Sequence, residues 1–577
     1  MLSRLPPRNG PRQPKGRDGA CLGLGEIGGE PTQTVLRHPS GRRADPRPDA
    51  TAADRKTLSA GHIDDAAGTE QTPCHRPHRS RHDRLRLAHA AENKPPVPVR
   101  HRVGTPVLEC HPTRSAHFPG TSLPSVAAGG YRAGTDTASR PQASPMTSLS
   151  HLASLPRGEL LAAIAAAFPS AASGAGEIGG ATDRGGRRAA EERLRAIDPV
   201  AYERTRNHVS GAVTRLSPWI RHGVLGLAEV RDAALAKVAR PADATKLISE
   251  LGWRDYWRQV QAALGDRILT DIEPPAAESR RPSLDRMPSD VLEARSGLAC
   301  IDAFVRRLHD TGWLHNHERM WLASWLVHVR GVHWRVGADW FLEHLLDGDP
   351  ASNHLSWQWV AGTFSAKPYL FNRENLESYT AGIHCRTCPL LGRCDVEGTY
   401  DDLADRLFTA AGPAVSRPAL RIPPAAASTS DPATAARPLV WLTLDSAAET
   451  SPAAARFPEA PRLFVVDPSW LDAERPSRQR LAFLFECLAD VPGLEVLLGD
   501  PRVVVPARAA ALGSDAVAVA ETSCPRIRSA AVAIAATQRV VMLSWPRFCD
   551  RSAVRDLGRF SRYWQKVATS ALRPTSG

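Results

Sequence analysis

The hydrophobic period changes once along this chain, and the change commits it to two different kinds of core. From residue 151 to about 412, apolar residues recur every three to four positions. They do so in ELLAAIAAAF (159–168), AAEERLRAI (189–197), GLAEVRDAALAKVAR (226–240), ATKLISELGWRDYWRQVQAAL (244–264), CIDAFVRRLHDTGW (300–313) and HERMWLASWLVHVRG (317–331). That spacing puts the apolar side chains on one face of a helix, so residues 146–412 read as an all-helical domain. After residue 437 the apolar residues come in short runs of strand length: LVWLTL (439–444), RLFVVD (462–467), LEVLLGD (494–500), AVAVAE (516–521) and RVVMLSW (539–545). The helix-like segments RQRLAFLFECLADV (478–491) and VPARAAALG (505–513) separate them, which predicts a Rossmann-like parallel α/β domain over 438–577. The Pro-, Ala- and Ser-rich stretch 413–437 reads as the linker.

Residues 1–145 follow neither period. They hold 19 of the 48 prolines and none of the 14 tryptophans, and 22 Lys+Arg against 13 Asp+Glu place +9 of the net +12 there. Such a segment buries too little apolar surface to offset its conformational entropy and reads as a disordered basic arm. Met146 follows directly and is an alternative start. With no secretory leader and no apolar run of about 18 residues, the expected protein is cytoplasmic, monomeric and without a membrane partner.

In LLDGDPASNHLSWQW (345–359), Asp349 before Pro350 predicts a helix N-cap and first helical position. Asp349, Asn353 and Trp357 then share one face. Ten of the 14 tryptophans lie between 219 and 359, more than packing requires, because each buried indole N–H needs a partner. ELGWRDYW (250–257) aligns Glu250, Trp253, Arg254 and Trp257, and a carboxylate between indoles suits a cavity wall better than a core. WLHNHERM (313–320) groups Asn316, Arg319 and Met320, with Arg319 a partner for Asp347.

These segments, with VTRLSPWIRHG (213–223) and HWRVGADWF (333–341), resemble in order the flavin-binding helical domain of the DNA photolyase and cryptochrome family over about residues 200–410. The resemblance implies a folded, U-shaped FAD. It assigns Thr214, Arg215, Leu216 and Ser217 to the phosphates, with Val213 where the family often has a hydroxyl residue. Arg254, Asn316, Arg319, Asp347 and Asp349 fall around the isoalloxazine and ribityl chain, and Asn353 faces flavin N5. Trp357 and Trp334 correspond to the proximal and middle members of an electron-transfer chain, whose distal indole is missing from RRPSLDRMPSDVLEARS (280–296). Glu250, Trp253, Met320 and Trp359 match the positions that contact a cyclobutane pyrimidine dimer, which makes Glu250, Asn353, Trp357 and Trp334 the implied catalytic set.

The implied activity is that of a deoxyribodipyrimidine photolyase, a carbon–carbon lyase that acts on UV-damaged DNA. The alternatives are a cryptochrome-like blue-light receptor and repair of (6-4) photoproducts. The (6-4) branch pairs histidines at its active site, whereas here His315 is followed by Asn316. A flavin-free nucleic-acid-binding protein is a third class, which the grouping of Asp347, Asp349 and Asn353 argues against.

YTAGIHCRTCPLLGRC (379–394) sets Cys385, Cys388 and Cys394 close enough to signal a metal rather than disulfides. SAKPYLFNRENLESYTAGIHCRTC (365–388) is similar to a bacterial branch of the family that carries a 4Fe-4S cluster, which implies Cys300 as fourth ligand; zinc, or His384 completing the shell, are the alternatives. GDPRVVVPARAAALGSDAVAVAETSCP (499–525) and GRFSRYWQKV (558–567) resemble the family's antenna-type α/β domain, here placed after the flavin domain, with its chromophore unspecified.

Overall fold

The computed structural model describes residues 147–171, 184–413, 419–423 and 435–575. The basic arm 1–145, Met146 and most of the 413–437 linker lie outside the described residues.

Eight strands are described: β1 (Thr147–Ser148), β2 (Ala277–Ser279), β3 (Phe408–Ala411), β4 (Pro438–Leu442), β5 (Arg462–Val466), β6 (Leu494–Leu498), β7 (Ala516–Ala520) and β8 (Val540–Leu543). Six of them form one sheet in the order β1-β6-β5-β4-β7-β8, parallel throughout except for β1. The order starts at β4 and runs outward in both directions, the doubly wound arrangement. Successive residues serve opposite faces. Val440, Leu442, Phe464 and Val466 pack against the Arg478–Ala489 helix, and Leu439, Trp441, Leu463 and Val465 against Pro501–Ala511 and Pro525–Ile534. Both faces are covered, so β4, β7 and β8 read as unbroken apolar runs, while β5 opens on Arg462 and β6 carries Glu495.

The helical region is built on the 20-residue helix Thr245–Leu264. Ala299–Thr311, Asn316–Ser324, Trp334–His344 and Pro350–Ala361 follow it, and Asn316–Ser324 runs on into a π-helical turn at Trp325–Val329. Two helices end in left-handed glycines, Gly312 (φ 64°) and Gly362 (φ 84°), a conformation any Cβ would strain. The region is not wholly helical, because β2 and β3 pair as a short antiparallel ribbon.

Two terminal segments cross the boundaries drawn from periodicity. The helix Arg157–Ala167, read as part of the helical domain, docks on the sheet: β1 pairs with β6, and Leu152, Leu160 and Ile164 join the core of Phe464 and Phe485. The helix Phe560–Ala571, read as part of the α/β domain, packs instead in the helical core with Tyr256 and Trp257. Amphipathic spacing says that a helix has a face to bury, not which partner buries it. No helix among the described residues is long and apolar enough to cross a membrane.

Candidate functional site

Three helices converge on a cleft of ≈ 1330 Å³, its open mouth included. Thr245–Leu264 contributes Glu250, Trp253, Arg254 and Trp257, one face at spacings of three and four. Asn316–Ser324 contributes Asn316, His317, Arg319 and Met320. Pro350–Ala361 contributes Ser352, Asn353, Ser356, Trp357 and Trp359. Phe341, Leu345 and Asp347 close the cleft from behind, and Arg206 and Asn207 complete its wall.

The charges are arranged against burial. Asp347 Oδ2 meets Arg319 Nη2 at 3.0 Å, the pairing expected from sequence. Burial raises the Asp347 carboxyl, but Arg319, a hydrogen bond from Ser217, and Arg254 together hold it below the ordinary value. Its second oxygen, Oδ1, is buried with no hydrogen-bond partner, and so is Nη1 of Arg254. Burial pushes the Arg254 guanidinium down to about 10 while Asp349, 3.6 Å away, pulls the other way. An unmatched buried donor or acceptor costs about 1–3 kcal/mol, so a wall carrying one of each is built for a polar ligand.

Asn353 donates from Nδ2 to the Ala338 carbonyl at 2.8 Å, which fixes its amide plane. The Trp357 indole lies over Gly337, where a Cβ would approach it to 2.3 Å, and meets Phe341 edge-on at 5.0 Å. Glu250 is held by Arg206 at 3.3 Å and Lys246 at 3.2 Å. Trp253 stacks on Phe560 with centroids 3.8 Å apart, so the C-terminal helix covers one of its two faces. Trp359 leans on Tyr369, and Asn316 Nδ2 donates to Met320 Sδ at 3.2 Å.

Several residues expected in the site stand behind its wall. Asp349 does not line the cleft. It caps its helix, accepting from Ser352 Oγ at 2.6 Å, and although burial raises its carboxyl, Arg254, Arg221 and Arg258 hold it at about 2. Trp334 is buried outside the lining, its Nε1 donating to Asp271 at 2.6 Å. Thr214, Arg215, Leu216 and Ser217 are likewise outside the lining. Leu216 is core, Thr214 accepts from the Leu216 amide at 3.5 Å, and Arg215, at φ 54°, lies 4.0 Å over the Trp313 ring. Of this loop, Ser217 touches the site by bonding Asp347. Leu216 is drawn into the core, and the loop reaches the cleft through the Ser217–Asp347 contact.

The cleft also includes Trp257, on the face expected to form a cavity wall, and Arg206, Asn207, His317, Ser352 and Ser356, which were not expected as site residues. Ser352 and Ser356 follow from the helix face of Asn353, and Trp257 from that of Trp253. Arg206 and Asn207 carry no local signal, since they arrive from a separate segment.

Residues 247–380 match the family described as the FAD binding domain of DNA photolyase. The helical region is thus similar, over residues 247–380, to the FAD binding domain of DNA photolyase. A deoxyribodipyrimidine photo-lyase of Streptomyces griseus is 40% identical over 169 residues, covering 28% of this chain and 35% of that protein. A chloroplastic/mitochondrial cryptochrome DASH of Oryza sativa subsp. japonica is 36% identical over 168 residues, covering 28% of each. A Synechocystis cryptochrome structure aligns at TM-score 0.31 and 26% identity, over 34% of this chain and 43% of that one. The chain thus spans about a third of the length of the curated relatives it matches. The unmatched Asp347 oxygen and Arg254 nitrogen, between aromatic walls, fit the polar and planar parts of FAD.

Cys300, Cys385, Cys388 and Cys394 line one small cavity with Arg373, His384 and Leu390. Burial, reinforced by the neighbouring thiols, lifts Cys300 to about 12; burial and nearby Glu377 lift Cys385 to about 11. Among the described residues no three such side chains converge on a single-ion position.

Proposed function

We propose that this protein splits cyclobutane pyrimidine dimers in UV-damaged DNA, using light and a bound FAD. The observation that carries the reading is the cleft itself: a buried Asp347 oxygen and a buried Arg254 nitrogen that make no hydrogen bond, the latter only ion-paired to Asp349 at 3.6 Å, beside Asn353 and with Glu250 and two indoles in the same lining. Bound FAD supplies the light-driven single electron that opens the dimer and recovers it afterwards.

The protein's residues hold and orient. Asp347, Arg254, Arg319, Asn316 and Asn353 hold the flavin, with Ser217 and Asp349 supporting from behind. Glu250 accepts base N–H groups from a flipped-out dimer, Trp253 offers its uncovered face, and Trp359 and Met320 close the other sides. His317 shares the wall; burial and its neighbours His315 and Arg206 hold its imidazole at about 3, so it is a neutral donor or acceptor there. Trp357 at the cleft and Trp334 behind it form the start of a relay for charge. Cys300, Cys385, Cys388 and Cys394 hold a 4Fe-4S cluster, the soft donor set and shared cavity supporting that reading. The protein acts as a cytoplasmic monomer.

The place for an antenna chromophore is a second cleft, of ≈ 1660 Å³ with its open mouth included, where Asp467, Asp500 and Cys524 follow β5, β6 and β7. Doubly wound sheets take ligands outside the carboxyl ends of their strands. The names of the relatives divide between photo-lyase and cryptochrome DASH, which favours a blue-light receptor as the second reading.

Illumination of the reduced, full-length protein with a dimer-containing oligonucleotide separates the two: restored pyrimidines support repair, and bound FAD without repair supports the receptor. Glu250→Ala should lower the repair rate by about 10–100-fold, the worth of a hydrogen bond to a charged group, with flavin content unchanged. Equal loss of both would remove Glu250 from the lesion. For the cluster, Cys385→Ser should abolish the broad visible absorption beneath the flavin bands and leave those bands in place; an unaltered spectrum would refute the cluster.

A further inference from the structure

We propose that Arg480, delivered by the α/β region, is a positioning residue for the flavin site, so that the cleft is completed from the second domain. The inference rests on the FAD reading above. Asp347 belongs to the loop Leu345–Asp349, whose carbonyls are gripped from behind. The Gly348 carbonyl, between the two aspartates, accepts from Arg221 Nε at 2.7 Å and from Arg480 Nη2 at 2.9 Å. Arg480 also donates through Nη1 to the Leu342 carbonyl, and His222 Nε2 lies 3.3 Å from that of Leu346. Gly348 itself leaves the room, since a Cβ there would stand 3.0 Å from the Arg480 guanidinium carbon.

Both cations are buried and matched by carboxylates of the α/β region. Glu474 Oε2 lies 2.6 Å from Arg480 Nη2, and Asp445 pairs with Arg221. A planar guanidinium reaches a carboxylate and two carbonyls from two separate nitrogens in a fixed fork, whereas the three donors of an ammonium radiate from one nitrogen. The loop therefore has Arg319 pulling Asp347 on the cleft side and two guanidiniums fixing the adjoining peptide on the other. Moving that peptide would move the unmatched Asp347 oxygen. A ligand-facing group is only as well placed as the contacts that hold it.

The test is the rate at which full-length holoprotein releases FAD on dilution, followed by flavin fluorescence, beside thermal unfolding. Arg480→Met should release FAD about tenfold faster, the usual scale for losing a supporting contact. Arg480→Lys, which keeps the charge but not the fork, should fold and still release FAD faster than wild type, and it carries the test if the Met variant does not fold. The control is Arg231→Met, another buried arginine, which donates to the Phe548 carbonyl and is not among the residues lining the cleft. It should lose stability with release unchanged. Wild-type release from folded Arg480→Met and Arg480→Lys would overturn the proposal alone, as would equal acceleration in Arg231→Met, which marks a mere brace. A wild-type chain that holds no FAD would overturn the flavin reading beneath it.

Discussion

Asp349→Ala is expected to lose about 4–6 kcal/mol of folding stability: about 1 for the missing helix cap and about 3–5 for buried charge left uncompensated. Asp349 accepts from Ser352 at the first turn of Pro350–Ala361 and faces Arg254, with Arg221 and Arg258 adding to the same field. Removing it strands Arg254, whose Nη1 makes no hydrogen bond and has Asp349 Oδ2 at 3.6 Å as its ion-pair partner. Asp349→Asn keeps an acceptor for the cap and loses the charge, so it should fall between wild type and Ala. Chemical denaturation read as a shift in midpoint at constant slope measures both. A loss below about 1 kcal/mol for the Ala variant would mean that the cap alone matters.

Acidification should destabilise the protein well above the carboxylate range. His222, His309, His315, His317, His328 and His344 are buried, and burial is the first cause holding each below the ordinary imidazole value; His317 and His344 lie at about 3, His315 and His328 at about 4. Each folded value lies below the unfolded one of about 6.5, so the unfolded chain takes up protons first. Their stabilising share is complete above about pH 6.5 and declines as pH falls toward 3–4. His317 and His344 alone amount to about 4 kcal/mol of loss at pH 5, at about 1.4 kcal/mol per pH unit each. Thermal unfolding from pH 7.5 down to pH 5 tests this, and an unchanged midpoint across that interval would show these imidazoles to be solvated.

Much of the site was legible because it lies on helix faces. The spacing of Glu250, Trp253 and Arg254, and of Asn316, Arg319 and Met320, places each trio on one side of its own helix, and the structure turns both trios into the cleft. The Asp349–Pro350 start and the Arg319–Asp347 pair also stand as read. Legibility failed where depth mattered. Asp349 shares the face of Asn353 but sits at the first turn, beneath Arg254, and Trp334 points its indole N–H to Asp271. Sequence order likewise cannot show that Leu216 of the Thr214–Ser217 loop is drawn into the core while Ser217 touches Asp347.

By itself, the sequence determined the two kinds of secondary structure, the helix starts and stops, and which side chains share a face, because these follow from hydrogen bonds and sterics a few residues apart. Tertiary structure alone decided that Arg157–Ala167 joins the sheet, that Phe560 covers Trp253, that Arg206 meets Glu250 and that Arg480 holds Gly348. Those pairings join residues separated by tens to hundreds of positions, and burial energy depends on area removed from water rather than on which distant surface removes it. Periodicity marks the surfaces to be covered; only packing chooses their partners.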